Sequence, residues 1–135
     1  MPRHVLDTSA IMAVLEAEEG NEDVLDLFKL PESNVAIPFM ALMEVEYKVR
    51  RKVGPARAEL ALTMIESWPA IMVESTPAWR HEAAVVKAGH RLSLADSWIA
   101  ALALTEKAIL VHKDPEFDPI KGLQHFRLPY KPKQA

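Results

Sequence analysis

The sequence predicts an α/β sandwich built on a parallel sheet, and three observations carry that reading. Short apolar stretches alternate with longer segments of helical periodicity, the pattern that lays helices on the faces of a parallel sheet. The chain has 135 residues, the size of one ordinary domain, and 50% of them are hydrophobic, enough for a continuous core. No repeat, linker or low-complexity stretch divides it, so residues 1–135 read as one domain.

Each element follows from local pattern. Val5-Leu6 starts a short buried strand. Ser9 to about Glu18 reads as a helix, with Ile11, Met12 and Leu15 on one face and Gly20-Asn21 ending it. Asn21 is placed to cap a second helix carrying Val24, Leu25, Leu27 and Phe28. Pro31-Glu32-Ser33-Asn34 is a turn, Val35-Ala36-Ile37 a brief strand, and Pro38 opens a helix running to about Lys52. Gly54-Pro55 breaks that helix. Ala56 to about Trp68 is helical again, and Pro69 ends it before a strand at Ile71-Met72-Val73. Thr76 caps a helix from Pro77 to about His90. Ser93-Leu94-Ala95-Asp96 opens the most apolar helix, through Trp98, Ile99, Leu102 and Leu104. Ala108 to His112 is a strand, and Gly122 leads to a last one near Gln124 to Arg127. From about residue 129, Pro129, Lys131, Pro132 and Lys133 form a tail expected to be loosely ordered. The pairs Ser9 to Phe28 and Pro38 to Trp68 are expected to form helical hairpins. The helix after Pro38 carries two apolar stripes, Leu42/Val45/Val49 and Met40/Met43/Tyr47, which predicts packing on its own core and on a second copy in a homodimer.

Composition excludes several classes. There is no cysteine, hence no disulfide and no thiolate-held zinc or iron–sulfur cluster. Met1-Pro2-Arg3-His4 lacks the apolar run of a signal peptide, and no stretch approaches the ~20 apolar residues that span a bilayer. A cytoplasmic protein is the expectation. The net charge of −3 is unusual for a nucleic-acid binder, but the charge is segregated. Glu16, Glu18, Glu19, Glu22, Asp23 and Asp26 crowd one segment, and Lys48, Arg50, Arg51, Lys52 and Arg57 another. Each cluster can be a solvated helix face, and the second can also hold backbone phosphates.

Four acids carry the chemistry: Asp7, Glu44, Asp96 and Asp114. Each has a plain structural explanation. Asp7, Thr8 and Ser9 all cap helices well; Glu44 can pair with Lys48 at i,i+4; Asp96 lies three residues after Ser93 as in a capping box; Asp114 precedes a proline in a turn. Together they read differently. Asp7 and Asp114 both follow short apolar strands, and ligand sites in open parallel sheets lie just past the carboxyl ends of strands. Acids gathered without bases repel one another, and burial worsens this. A divalent cation relieves it, and oxygen-only donors favour Mg²⁺ or Mn²⁺. The residues alone therefore point to a metal-dependent enzyme acting on phosphate esters. The five histidines, at 4, 81, 90, 112 and 125, show no zinc-ligand spacing and read as surface or packing residues. With four glycines, the chain has no Gly-rich phosphate loop.

Four motifs in order resemble those of the PIN-domain nucleases, and among them the toxin halves of VapBC toxin–antitoxin pairs. They are Leu6-Asp7-Thr8-Ser9-Ala10, Ala41-Leu42-Met43-Glu44-Val45, Leu94-Ala95-Asp96-Ser97-Trp98-Ile99-Ala100-Ala101, and Leu110-Val111-His112-Lys113-Asp114-Pro115-Glu116-Phe117 followed by Gly122-Leu123. The resemblance runs from Val5 to about Leu128. It implies a three-layer sandwich whose central parallel sheet has about five strands flanked by helices. It places the family's four acids on Asp7, Glu44, Asp96 and Asp114, as ligands of Mg²⁺ or Mn²⁺. It points to Thr8 and Ser9 as supporting residues, with Glu116 and Asp118 as auxiliary acids. The fourth motif departs from the commoner pattern, in which a hydroxyl residue often stands where this chain has His112.

The resemblance further implies hydrolysis of RNA phosphodiesters, with Asp7 or Asp96 orienting the attacking water or accepting its proton. Arg50, Arg51, Lys52 and Lys113 are candidates for phosphate contacts. A cognate antitoxin would place a basic side chain among the acids. Other classes fit less well. An aspartate-nucleophile phosphatase wants an aspartate two residues after the first, where Ser9 stands, and a receiver-like domain wants two adjacent acids that the early sequence lacks. An RNA-processing nuclease without an antitoxin, or an inactive binding module of the same fold, remain as alternatives.

Overall fold

In the computed structural model, which describes residues 3–30 and 34–130, a five-stranded sheet lies between two layers of helices. The expected turn at Pro31-Glu32-Ser33 and the tail from Lys131 onward lie outside the described residues. In chain order the elements are β1 (His4–Leu6), α1 (Thr8–Leu15), α2 (Asn21–Lys29), β2 (Val35–Pro38), α3 (Phe39–Val53), α4 (Pro55–Glu66), β3 (Ile71–Val73), α5 (Pro77–Gly89), α6 (Leu94–Thr105), β4 (Ile109–His112), a 3₁₀ turn (Pro115–Phe117) and β5 (Gln124–Arg127).

The strand order is β3-β2-β1-β4-β5, and every neighbouring pair is parallel. The chain leaves the central strand β1 in one direction toward β2 and returns on its other side as β4. That reversal opens a crevice at the carboxyl ends of β1 and β4. The central strands are buried on both faces, as a parallel sheet between helices requires. Their side chains alternate between two cores. Val5, Ala36 and Leu110 join α5 and α6 through Trp79, Val86, Ile99 and Leu102. Leu6, Ile37 and Val111 join the helices α1 to α4 through Ile11, Val24, Val45 and Ile65. Phe39, Trp79 and Trp98 pack edge-to-face with centroids 4.9 to 5.5 Å apart, and the Trp79 indole N–H donates to the Trp98 carbonyl at 2.8 Å.

Helix ends differ from the sequence expectation where a non-glycine residue takes a left-handed conformation. The first helix stops at Leu15, three residues early, because Ala17 adopts φ 50°. The Glu18 N–H then bonds the Ala13 carbonyl and the Ala17 N–H the Val14 carbonyl, the double closure of a Schellman motif. Lys107, at φ 51°, closes α6 in the same way. Gly20, at φ 94°, precedes α2, so Asn21 is the first helical residue instead of the cap. A side chain at Gly20 would meet Pro129 Cδ at 3.0 Å, so this turn and the segment after β5 fix each other.

Of the two apolar stripes on α3, Val45 is buried and Leu42 and Val49 pack against the same core. The other stripe divides: Met40 is buried, while Met43 is 69% exposed and Tyr47 36%.

Phe117 is fully buried directly behind Asp114. Its replacement by alanine is expected to cost about 3–5 kcal/mol in urea denaturation, against less than about 0.5 kcal/mol for Met43→Ala. Equal midpoints for the two variants would contradict this account of the core.

Candidate metal centre

Asp7 follows β1 directly and caps α1. Its Oδ1 accepts the Ala10 N–H at 2.8 Å, and the Ser9 hydroxyl lies 2.7 and 2.8 Å from its two oxygens. Leu6 pairs with Val111, and the Asp7 N–H extends the ladder to the Val111 carbonyl at 3.2 Å. This pairing sets Asp7 beside the residues that follow β4. There Ser9 Oγ also accepts the Lys113 N–H at 2.9 Å, tying the first motif to the fourth.

Asp114 caps the 3₁₀ turn, its Oδ1 accepting the Glu116 N–H at 2.9 Å. Asp96 lies in the first turn of α6, where the Ser93 hydroxyl accepts its N–H at 3.1 Å. The Asp96 carboxylate faces the other acids, and a hydrogen bond with Ser93 offsets only part of their repulsion. Ligand oxygens of Asp96, Asp114 and Glu116 lie within 4.8 Å of one another. Glu44, on α3, accepts a hydrogen bond from the Thr8 hydroxyl at 3.1 Å rather than pairing with Lys48. No ion pair reaches Asp7, Glu44, Asp96 or Asp114 among the described residues.

The electrostatics reflect this crowding. Burial pushes the Asp7 pKa up to about 7; the Ser9 and Ala10 hydrogen bonds oppose the rise, and the charges of Asp96 and Asp114 add to it. Asp96 is pushed up to about 6, first by burial, then by Asp114 and Glu44. Carboxylates held this unfavourably, oxygen donors only and without a basic partner, fit a hard divalent cation such as Mg²⁺ or Mn²⁺.

The other candidate residues are distributed unevenly. Thr8 and Ser9 bond to Glu44 and Asp7, and Glu116 joins the acids. Asp118 does not: its Oδ1 accepts from Arg127 at 2.8 Å and Tyr130 at 2.9 Å, because the 3₁₀ turn carries it toward β5. Asp118 therefore serves the β5 side of the turn and does not support the acids. Lys113 is 8% exposed, with Nζ 3.6 Å from Glu18. Arg50 is exposed, and the Arg51 guanidinium stacks 5.1 Å from the Tyr47 ring centroid. A cleft of about 510 Å³ that includes Ser9 is lined by Lys48, Lys52 and Lys113 together with Glu16 and Glu18, and Lys52 Nζ lies 3.3 Å from Glu16. Lys48 was visible in the basic run, but nothing in the sequence set it apart from its neighbours.

The histidines also separate. His81 and His90 are exposed and His4 is buried. His112, fully buried, lies within hydrogen-bond distance of His125, Nε2 to Nδ1 at 2.9 Å. Ligand atoms of these two rings and Asp118 fall within 4.8 Å of one another, a spacing a metal can also use. The hydrogen bonding argues against that use. His112 Nδ1 accepts the Asp114 N–H at 3.0 Å, so in the neutral ring the proton sits on Nε2 and points at His125. A ligating histidine has the opposite arrangement, donating its other N–H and turning a lone pair to the metal. Burial, followed by His125, pushes the His112 pKa down to about 4 and keeps that ring neutral.

The site is thus a set of acidic oxygen donors at the switch point of a parallel α/β sheet. The model of the PIN domain family matches residues 4–123, and the chain belongs to that family. Similar solved structures include the DNA-bound VapBC complex of Salmonella typhimurium, at 20% identity over 94% of this chain and 98% of that one with a TM-score of 0.79. VapBC2 of Rickettsia felis bound to a promoter DNA fragment gives 18% identity, 93% and 98% coverage and a TM-score of 0.78. VapC20 of Mycobacterium tuberculosis, a toxin that cleaves the sarcin–ricin loop, gives 17%, 86% and 93%, and 0.67. At these identities the likeness establishes the fold. No curated protein matches the sequence.

The raised pKa values of Asp7 and Asp96 set the pH dependence of the metal-free protein. Between the ordinary aspartate pKa of about 4 and the folded values near 7 and 6, the folded state holds protons that the unfolded state has released. Stability is therefore expected to fall as pH rises through this window. The melting temperature in EDTA should be higher at pH 5 than at pH 8. Asp7→Asn, which keeps the helix cap, should flatten that decline. A rising wild-type profile would contradict the burial of unpaired acids.

Proposed function

We propose that this chain is a metal-dependent endoribonuclease acting as the toxin of a toxin–antitoxin pair. The observation that carries the reading is the set of acids without bases, Asp7, Glu44, Asp96 and Asp114, at the switch point of a PIN fold. Mg²⁺ or Mn²⁺, when bound, supplies positive charge for the phosphoryl oxygens and acidifies water. Asp96 and Asp114, with Glu116 beside them, are assigned to hold it. Asp7, fixed by Ser9 and Ala10, orients the attacking water and accepts its proton. Glu44, oriented by Thr8, completes the negative wall. Attack in line with the departing 3′ oxygen leaves a 5′ phosphate and a 3′ hydroxyl. The cleft beside Ser9, where Lys48, Lys52 and Lys113 stand among Glu16 and Glu18, receives the flanking backbone.

The toxin role draws on the neighbours, several of which are VapBC complexes. An antitoxin that inserts a basic side chain among the acids would satisfy their charge and displace the cation. A homodimer is proposed through the exposed Met43 and Tyr47 of α3, while Val45 on the other stripe is buried and Leu42 and Val49 pack against the core. No helix among the described residues is long and apolar enough to cross a membrane.

Labelled structured RNA incubated with Mg²⁺, Mn²⁺ or EDTA tests the activity. Cleavage is expected with either cation, and loss of about 10²-fold or more in EDTA, Asp7→Asn and Asp96→Asn. Cleavage that persists in EDTA would remove the metal from the reaction, and wild-type Mn²⁺ binding without cleavage of any RNA would favour a binding module. Under the same conditions, Lys48→Ala/Lys52→Ala should weaken RNA binding and reduce the salt slope by about 1–1.5. An equal effect from Arg50→Ala/Arg51→Ala, or an effect from that pair alone, would move the strand to the other side of α3. In sedimentation at micromolar concentration the wild type should run as a dimer and Met43→Arg as a monomer; a monomeric wild type rejects that interface.

A further inference from the structure

The fourth motif reaches the acidic crevice through His112, the last residue of β4, and then Lys113 and Asp114, which belong to no strand or helix. A carboxylate on such a segment is only as well placed as its backbone. Two consecutive N–H groups are nonetheless held by side chains. Ser9 Oγ accepts from Lys113, and His112 Nδ1 accepts from Asp114 two residues on. The second bond makes the ring of residue i close a turn onto N–H i+2, the same closure that a serine or threonine hydroxyl makes at shorter reach.

A histidine can do this only in one tautomer, with Nδ1 bare and the proton on Nε2. The surroundings select it. His112 is fully buried, its ring edge lies against Phe117 with centroids 5.0 Å apart, and its Nε2 faces His125 Nδ1 at 2.9 Å. His125 is half-buried and accepts that proton's hydrogen bond, which leaves its own Nε2 as the other end of the chain. The order is then Asp114 N–H to His112, and His112 N–H to His125. Among the described residues neither ring hydrogen-bonds a carboxylate of Asp7, Glu44, Asp96 or Asp114; the bond to Asp114 is to its backbone N–H.

We propose that His112, oriented by His125, is a positioning residue that fixes the Asp114 backbone for metal binding, replacing a hydroxyl by a buried imidazole. This rests on the metal-site reading above. It assigns a use to the position at which the chain departs from the commoner motif. It also assigns a use to the His112–His125 pair, as a hydrogen-bonded support beside the metal centre rather than part of a second cation site.

Three measurements test it. Long-range ¹H–¹⁵N NMR of the metal-free wild type at pH 7.5 should show His112 as the Nε2–H tautomer; an Nδ1–H ring or an imidazolium overturns the proposal. Amide hydrogen exchange at Asp114, also without metal, should be at least ~10-fold faster in His112→Phe, which keeps a ring but has no acceptor. Mn²⁺ affinity by calorimetry should fall by ~10-fold or more in the same variant. His112→Asn, whose side-chain oxygen can close the same turn, should recover most of both. A folded Phe variant with wild-type exchange and affinity, or an Asn variant no better than Phe, overturns it. Should the Phe variant not fold, His125→Phe carries the test, with faster Asp114 exchange expected and an unchanged rate counting against the support. Because the tautomer and exchange are read without metal, a wild type that binds no Mn²⁺ rejects the metal reading separately from the clamp.

Discussion

The parallel pairing of β1 with β4 is the constraint on which the rest depends. It brings the carboxyl ends of two strands, separated by about a hundred residues of chain, into one crevice. Everything acidic in the site is referred to that seam. Asp7 is the next residue on one strand, and its N–H continues the ladder. Asp114 lies two residues beyond the other, with Ser9 bridging the two segments through its single hydroxyl. The helices supply the remaining acids by pointing the start of α6 and one face of α3 at the same opening.

Such a crevice is costly for the protein on its own. A buried carboxylate with like charges for neighbours resists ionisation, which is why Asp7 and Asp96 hold their protons toward neutral pH. Hydrogen bonds from Ser9, Ala10 and Ser93 fix the geometry and recover only part of that energy. On the proposed metal-site reading, a cation would restore the charge balance, and its binding would be coupled to proton release. The same logic explains why a basic side chain from a partner would be an effective blocking group: it would satisfy the acids without supplying a Lewis acid.

On the proposed role of His112, the backbone at Asp114 needs a particular acceptor beside it. The requirement is an acceptor for one N–H two residues ahead. A hydroxyl meets it alone. An imidazole meets it only if its tautomer is set, and here burial and His125 provide that. Asp118, Arg127 and Tyr130 form the outer side of this support, linking the 3₁₀ turn to β5 and to the segment beyond it.

The sequence by itself determined the order of the elements and the four acids. Alternating apolar strands and amphipathic helices are local patterns, and residues just past strand ends can be located without coordinates. It did not determine where α1 ends, because Ala17 takes a left-handed conformation that local propensity assigns to glycine. Nor could it say that Asp118 leaves the acids while Glu116 stays, since a 3₁₀ turn rotates neighbouring residues to different sides. Lys48 and Lys52 were indistinguishable in sequence from Arg50 and Arg51; only the packing of α3 beside α1 decided which of them line the cleft. His112 and His125 read as surface or packing residues because the five histidines show no zinc-ligand spacing, and thirteen positions separate these two in the chain. Their contact exists only because β4 and β5 are paired in register. Local pattern fixes what each segment becomes, whereas the meeting of side chains from separate segments depends on strand register and helix packing, which no single stretch of sequence encodes.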